Sequence, residues 1–277
     1  MAESVASGVA MSQLRDVVSN SVKEKLQRGE VVASITVRLV PTVEIVRIAK
    51  TAGFDSLYID LEHSSFSLET TSQLCIMALE SGVPAFVRVP ANTPEYISRV
   101  LDGGALGVIA PGVRSAAEAR EVVAAAKYPP VGARGLSGGL PQLAYRSVPA
   151  AQALPALNAA TMVIVQFESA ASLAAMDEII AVDGVDMVMI GTNDLMADLG
   201  IAGQFDHPKV RDAYERTIAA CRKRGKHVGV GGLSSRPDLV AQFVKMGALY
   251  VSTGTDLGFL MAECQRRVKQ VRDIFPG

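Results

Sequence analysis

Excess charge of either sign, long apolar runs and paired cysteines are all missing from this chain, and each absence removes a class of function. The 27 Lys and Arg residues face 28 Asp and Glu, for a formal net charge of −1 at pH 7. That balance gives no electrostatic case for a nucleic-acid partner or a membrane surface. No apolar run reaches the roughly 18 residues needed to span a bilayer. The opening residues, MAESVASGVAMSQLRD, have neither the basic flank nor the apolar core of a signal peptide. A soluble, cytoplasmic protein is therefore expected. Cys75, Cys221 and Cys264 lie far apart without a CxxC spacing, so they read as small core residues of a reduced compartment and not as a zinc or redox motif.

What the chain does have is apolar content, 49% over 277 residues, and a regular alternation. One domain over 1–277 is expected, because α/β barrels occupy about 250 residues as a single unit. After a polar start, with 1–12 expected to be flexible, residues 14–27 read as a helix. Short β-rich runs follow at 33–38, 56–60, 85–89, 107–110, 162–166, 186–190, 227–230 and 249–252. Between them, apolar residues at three- and four-residue spacing predict helices over 43–51, 68–80, 94–101, 116–127, 170–180, 208–224 and 237–246, with a last helix over 257–274. Most of the strand runs are apolar throughout, as expected of parallel strands covered on both faces, and this favours a closed (β/α)8 barrel over an open sheet. The segment 128–160 breaks the rhythm with prolines and glycines. It is expected to be a functional or lid-forming insertion between the fourth helix and the fifth strand.

A barrel of this kind builds its site at the C-terminal ends of the strands. The polar residues in or just after the apolar runs are Arg38, Asp60, Glu62, His63, Arg88, Glu168 and Asp194. Glu168 and Asp194 follow consecutive strands, and two carboxylates with room for water suit an octahedral divalent cation such as Mg²⁺, Mn²⁺ or Co²⁺. Each could instead cap the helix that follows it. His63 stands at the mouth of the second strand, unlike His207 and His227. Arg88 interrupts the run PAFVRVP, and a buried guanidinium needs an anion. That anion is either a substrate carboxylate or enolate, or the neighbouring Asp60 or Glu62. The turn from Gly191 through Thr192 and Asn193 to Asp194 can present backbone N–H groups to an anion, although helix-entry turns often look this way. Lys127 precedes the insertion and Lys226 opens a strand, so neither is placed to form a Schiff base, and no nucleotide cofactor is expected.

Across roughly 28–274, the segments AGFDSLYIDLEH, PAFVRVP, LDGGALGVIAPGV, AAKYPPVGARG, VQFES, VDMVMIGTNDL and MGALYVSTGTD resemble, in order, the HpcH/HpaI family of class II pyruvate aldolases. The resemblance implies cleavage or formation of 4-hydroxy-2-oxo acids from pyruvate and an aldehyde, through an enolate and with a divalent metal. It makes Glu168 and Asp194 the metal ligands, with Gln166 close by. Arg88 becomes the residue that steadies the enolate. His63, oriented by Asp102, becomes the acid–base acting at the aldol hydroxyl. The backbone of Gly191, Thr192 and Asn193 takes the pyruvate carboxylate, and Arg38, Asp60 and Glu62 stand behind these groups. It further implies a homohexamer with an exchanged C-terminal helix. The chain departs from many relatives in reading Gly-Thr-Asn-Asp at the turn and in placing Arg38 where several aldolases carry an apolar or aromatic residue. A metal-dependent lyase or synthase of acyl thioesters or dicarboxylates, and a barrel that binds without turnover, are the competing readings.

Overall fold

The computed structural model describes residues 17–274, which place eight parallel strands in a closed ring: β1 (Val32–Val37), β2 (Ser56–Asp60), β3 (Ala85–Arg88), β4 (Gly107–Ala110), β5 (Met162–Phe167), β6 (Met187–Gly191), β7 (His227–Gly231) and β8 (Tyr250–Thr255). Each strand pairs with the next, and β1 also pairs with β8 to close the barrel. Helices α1 (Ser21–Gln27), α2 (Glu44–Ala52), α3 (Leu68–Ser81), α4 (Pro94–Asp102), α5 (Ala116–Ala126) and α6 (Ala150–Ala160) belong to the first half. The second half carries α7 (Ala170–Ala174), α8 (Met176–Ile180), α9 (Thr192–Asp198), α10 (Pro208–Lys223), α11 (Pro237–Met246) and α12 (Asp256–Ile274). The (β/α)8 expectation holds, and no described helix is long and apolar enough to cross a membrane.

Two core layers follow from the period-two geometry of the strands. Outward residues such as Leu57, Ile59, Val87, Val163, Val165, Val188 and Ile190 pack with the helices in one buried cluster. Inward residues such as Tyr58, Phe86, Ile164, Met187, Met189 and Tyr250 form a second cluster that fills the barrel. Gly107 is required by this packing, because a Cβ there would stand 2.4 Å from the Met162 carbonyl oxygen and 2.9 Å from the Phe86 ring.

Several local expectations need correction. Residues 14–16 lie outside the described residues, as do 1–12; the described helix starts at Ser21, where the Asn20 side chain accepts the Lys23 N–H at 3.2 Å. The helix expected over 170–180 divides at Ala175 into α7 and α8. Cys75 and Cys221 are buried, but Cys264 is exposed.

The segment 128–160 is not a lid over the C-terminal mouth in its own chain. It links the end of α5 to the start of β5 and so lies at the N-terminal rim. There Leu140, Leu143, Ala153 and Leu157 join the inner cluster with Leu26, Val32 and Met162. Lys127 is at the same rim, with its Nζ 2.8 Å from the Asn158 carbonyl oxygen and bonded also to that of Thr161.

At the opposite rim, buried Asp256 holds the exit of β1. Its carboxylate accepts the backbone N–H groups of Arg38 (3.2 Å), Leu39 (2.9 Å) and Val40 (2.8 Å), and of Leu257 at 2.9 Å. Removing a buried acceptor of several N–H groups costs about 1–3 kcal/mol. Asp256→Ala is expected to lower stability by that order in urea unfolding, with Asp256→Asn intermediate; an unchanged midpoint in Asp256→Ala would show that the carboxylate does not fix this loop.

Candidate active site

The closed ring brings the strand ends together around a cavity of about 370 Å³ at the C-terminal mouth. Its lining includes Arg38, Tyr58, Asp60, His63, Arg88, Gln166, Asn193 and Asp194. No lysine is among the lining residues. The inward parity of the strands explains the set: Thr36 precedes Arg38 by two, Tyr58 precedes Asp60, Phe86 precedes Arg88, and Gln166 precedes Glu168.

Asp60 and Arg88 are register partners on β2 and β3. The carboxylate takes the guanidinium in a fork, with Asp60 Oδ1 accepting from Nε at 2.9 Å and Oδ2 from Nη2 at 2.6 Å. Glu62 Oε2 lies 2.9 Å from the remaining Nη1. Arg88 is 8% exposed and Asp60 1%. Burial opposes the arginine charge, but Tyr58, Asp60 and Glu62 outweigh it and hold the guanidinium pKa above its ordinary value. The structural partners named for Arg88 are thus both present, and the guanidinium also lies 5.5 Å from the centre of the Tyr58 ring. The same Asp60 Oδ1 accepts the N–H groups of Glu62 (3.1 Å) and His63 (3.2 Å). One buried carboxylate therefore sets both the arginine and the loop that carries the histidine. The His63 side chain is 55% exposed at the mouth, with Nε2 3.7 Å from Glu62 Oε2.

Across the ring, Glu168 follows β5 and does not cap the next helix. Ser169 does so, in a reciprocal pair with Ser172. Glu168 instead accepts the Gly112 N–H at 2.9 Å and a hydrogen bond from Gln166 Nε2. Its carboxyl is pushed up to about 7, first by burial, then by the like charges of Asp194 and Glu62, against the opposing pull of Arg88 and of the Gly112 N–H. Asp194 lies in the first turn of α9, where a carboxylate complements the helix dipole. Among the described residues its side chain has no hydrogen-bond or ion-pair partner. Gln166 is 4% exposed and its Oε1 is left without a partner. Gly191 makes this crowding possible: a Cβ there would lie 2.8 Å from Glu168 Oε1 and from Gln166 Nε2.

These features fit a divalent cation. Four carboxylates, Asp60, Glu62, Glu168 and Asp194, stand in or beside the cavity against two guanidiniums, Arg38 and Arg88. Glu168 and Asp194 repel one another, and a buried amide oxygen lies next to them unpaired. Hard oxygen donors in this arrangement suit Mg²⁺ or Mn²⁺ better than a nitrogen- or sulfur-preferring ion. No cluster of three or more His, Cys, Asp or Glu side chains that could hold a metal ion occurs among the described residues.

Two sequence expectations change. Asp102 ends α4 at the N-terminal rim, where it accepts from Arg134 Nη2 at 2.5 Å. Within one chain it is separated from His63 by the length of the barrel and does not join the cavity. The Thr192 hydroxyl is fully buried and committed to the Tyr214 hydroxyl (2.8 Å) and the Gly231 carbonyl oxygen (2.7 Å), so only its backbone faces the turn. Sequence reasoning missed Tyr58, Thr36 and Gly112. The first two were findable, because they stand two residues before charged residues on the same strands; the Gly112 contact depends on how the β4 exit folds.

The comparisons with known proteins agree with this geometry. Residues 41–262 match the family model described as HpcH/HpaI aldolase/citrate lyase. The chain is 41% identical over 216 residues to a 4-hydroxy-4-methyl-2-oxoglutarate aldolase of Hapsidospora irregularis, covering 77% of this chain and 80% of that one. It is 36% identical over 245 residues to a 4-hydroxy-2-oxo-heptane-1,7-dioate aldolase of Salmonella arizonae, covering 88% and 91%. The crystal structure of an HpcH/HpaI aldolase from Desulfitobacterium hafniense superposes with a TM-score of 0.86 at 33% identity, over 92% of this chain and 97% of that one. A family match over most of the length, joined to a closed parallel barrel with its acidic and basic groups gathered at one mouth, means that the chain belongs to the HpcH/HpaI aldolase/citrate lyase family and is a carbon–carbon lyase.

Proposed function

We propose that this chain is a divalent-metal-dependent aldolase that cleaves or forms 4-hydroxy-2-oxo acids, with pyruvate as one product and an aldehyde or related carbonyl compound as the other. The observation that carries the reading is the gathering of Glu168, the unpartnered Asp194 and the unpaired buried Gln166 Oε1 at the same mouth as the buried Arg88 guanidinium. Glu168 and Asp194 are the residues that would hold the cation, with Gln166 beside them. The metal would supply Lewis-acid polarisation of the 2-oxo carbonyl.

The protein's own groups account for the other demands of the reaction. The N–H groups of the turn from Gly191 through Thr192 to Asn193 face the substrate carboxylate. Arg88, fixed by Asp60 and Glu62, presents positive charge to the oxygen on which negative charge grows. His63 takes the proton from the C4 hydroxyl, directly or through water, as the C3–C4 bond breaks and C4 leaves as a carbonyl. The bonding pair passes to the 2-oxo fragment as an enolate, and a proton returned to C3 completes pyruvate. The presence of all these groups at one mouth argues against a barrel that only binds.

Asp102 enters this reading from a second copy of the chain, since its own rim is the wrong one. The long α12 supports assembly: of its residues only Asp256 is buried, while Leu257, Phe259, Leu260, Met261, Val268, Val271 and Ile274 are exposed. Its stacking contact is Phe259 on Phe54, with ring centres 6.2 Å apart. An apolar helix of this kind suits exchange onto a neighbour within a homohexamer. Sedimentation velocity is expected to show a hexamer, and a monomer at micromolar concentration would remove Asp102 from the site.

Chelation is expected to abolish both cleavage of 4-hydroxy-2-oxo acids and proton exchange at C3 of pyruvate followed by NMR, with Mg²⁺, Mn²⁺ or Co²⁺ restoring them; full activity in chelator defeats the metal reading. His63→Ala should lower kcat/KM for cleavage by on the order of 10²- to 10⁴-fold, the usual worth of general acid–base catalysis. An unchanged value assigns His63 to structure.

The carboxyl of Glu168 is raised from an ordinary 4.5 to about 7 in the folded chain. The unfolded chain therefore ionises first as pH rises, and folding stability falls between these two values. In chelator, thermal unfolding of the wild type is expected to lose stability from about pH 4.5 to about pH 7 relative to Glu168→Gln, which lacks the titrating group. Parallel pH profiles for the two proteins would show that Glu168 is not crowded.

A further inference from the structure

One charged group lining the cavity is left unused by the chemistry above. Arg38 follows β1 and is half-buried, and its backbone N–H is held by Asp256 with those of Leu39 and Val40. The start of its side chain is thereby fixed. Its guanidinium, in contrast, has no hydrogen bond, ion pair or aromatic partner among the described residues. The carboxylates around it are committed elsewhere: Asp256 to four backbone N–H groups, and Asp60 and Glu62 to Arg88. Arg88 thus has each of its three nitrogens on a carboxylate, whereas Arg38 is the cation of this cavity whose guanidinium has no protein partner among the described residues.

Its position gives that freedom a direction. In an eight-membered ring β1 lies four strands from β5 whichever way the ring is followed. Arg38 therefore stands across the mouth from Gln166 and Glu168, on the same side as His63 of the β2 exit. A substrate with its 2-oxo acid end toward β5 and β6 would have its C4 hydroxyl toward His63 and whatever lies beyond C4 toward Arg38. The lining at that end offers further small donors in Ser252 and Thr255, and the Thr36 hydroxyl lies 2.9 Å from that of Ser252. A planar guanidinium with free donors in a partly dry cleft is suited to a carboxylate and gains nothing from an uncharged alkyl chain.

We propose that Arg38 is the specificity-determining residue that binds the acceptor-half carboxylate of diacids like those for which the relatives are named, and so selects carbonyl acceptors that carry their own acid group. The proposal rests on the aldolase reading and selects, within it, the class of acceptor.

The test is condensation of pyruvate, with Mg²⁺ or Mn²⁺, onto acceptors that differ in charge: glyoxylate, a second pyruvate and succinic semialdehyde against propanal and butanal. The wild type is expected to favour the anionic acceptors in kcat/KM by about 10- to 100-fold, the range of one charge-assisted hydrogen-bonded pair. In Arg38→Met that preference should collapse to near unity, and Arg38→Lys should retain part of it. The best of the three anionic acceptors reports how far the recognised carboxylate sits from the reacting carbonyl. Equal wild-type rates with charged and neutral acceptors overturn the assignment while leaving the aldolase reading intact. So does an Arg38→Met protein whose rates fall equally with both, since that marks a structural role. A wild type that forms no product with any acceptor defeats the aldolase reading itself, and the Arg38 assignment with it.

Discussion

Burying a guanidinium at the end of β3 is the constraint around which this mouth is organised. An arginine 8% exposed is stable there only with its charge and donors met, and Asp60 and Glu62 meet them from the neighbouring β2 exit. The match is a matter of register: Asp60 and Arg88 face one another across the β2–β3 ladder, on the inner side of the ring. Because Asp60 also accepts the Glu62 and His63 N–H groups, the same pair that neutralises the arginine holds the histidine loop over the cavity. Electrostatics and loop geometry are coupled through one carboxylate.

The far side of the cavity follows the opposite logic. Glu168 and Asp194 are left poorly compensated, and burial together with mutual repulsion raises the Glu168 carboxyl to about 7. A protein that only needed to be stable would have neutralised that pair as it neutralised Arg88. Arg88 is paired on one side of the cavity, whereas on the other Glu168 and Asp194 leave negative charge gathered around β5 and β6. Gly191 completes the arrangement by leaving room for Glu168 and Gln166 where any side chain would stand in their place.

The two rims of the barrel divide the work. The N-terminal rim is closed by α1, the 128–160 segment and α6, with Lys127 and Asn158 tying the connection together, and it carries stability. The C-terminal rim carries the cavity and its charged lining, where barrels of this kind build their sites. Asp102 and α12 belong to neither role within a single chain. One ends a helix at the N-terminal rim, and the other turns its apolar residues outward.

The sequence by itself determined the architecture and most of the mouth. Alternating apolar runs and amphipathic segments leave a closed parallel barrel as the economical way to cover both faces of every strand, and polar residues at strand ends then converge by geometry. Arg38, Asp60, His63, Arg88 and Asp194 were legible for that reason, and Gln166 through the family resemblance; all of them line the cavity. Tertiary structure alone decided the pairings. Whether Arg88 meets Asp60, whether Thr192 turns its hydroxyl to Tyr214 and whether Glu168 leaves the helix cap to Ser169 all depend on strand register and on how the strand exits fold. Those are distances between residues remote in the chain, and composition and periodicity carry information only about neighbours.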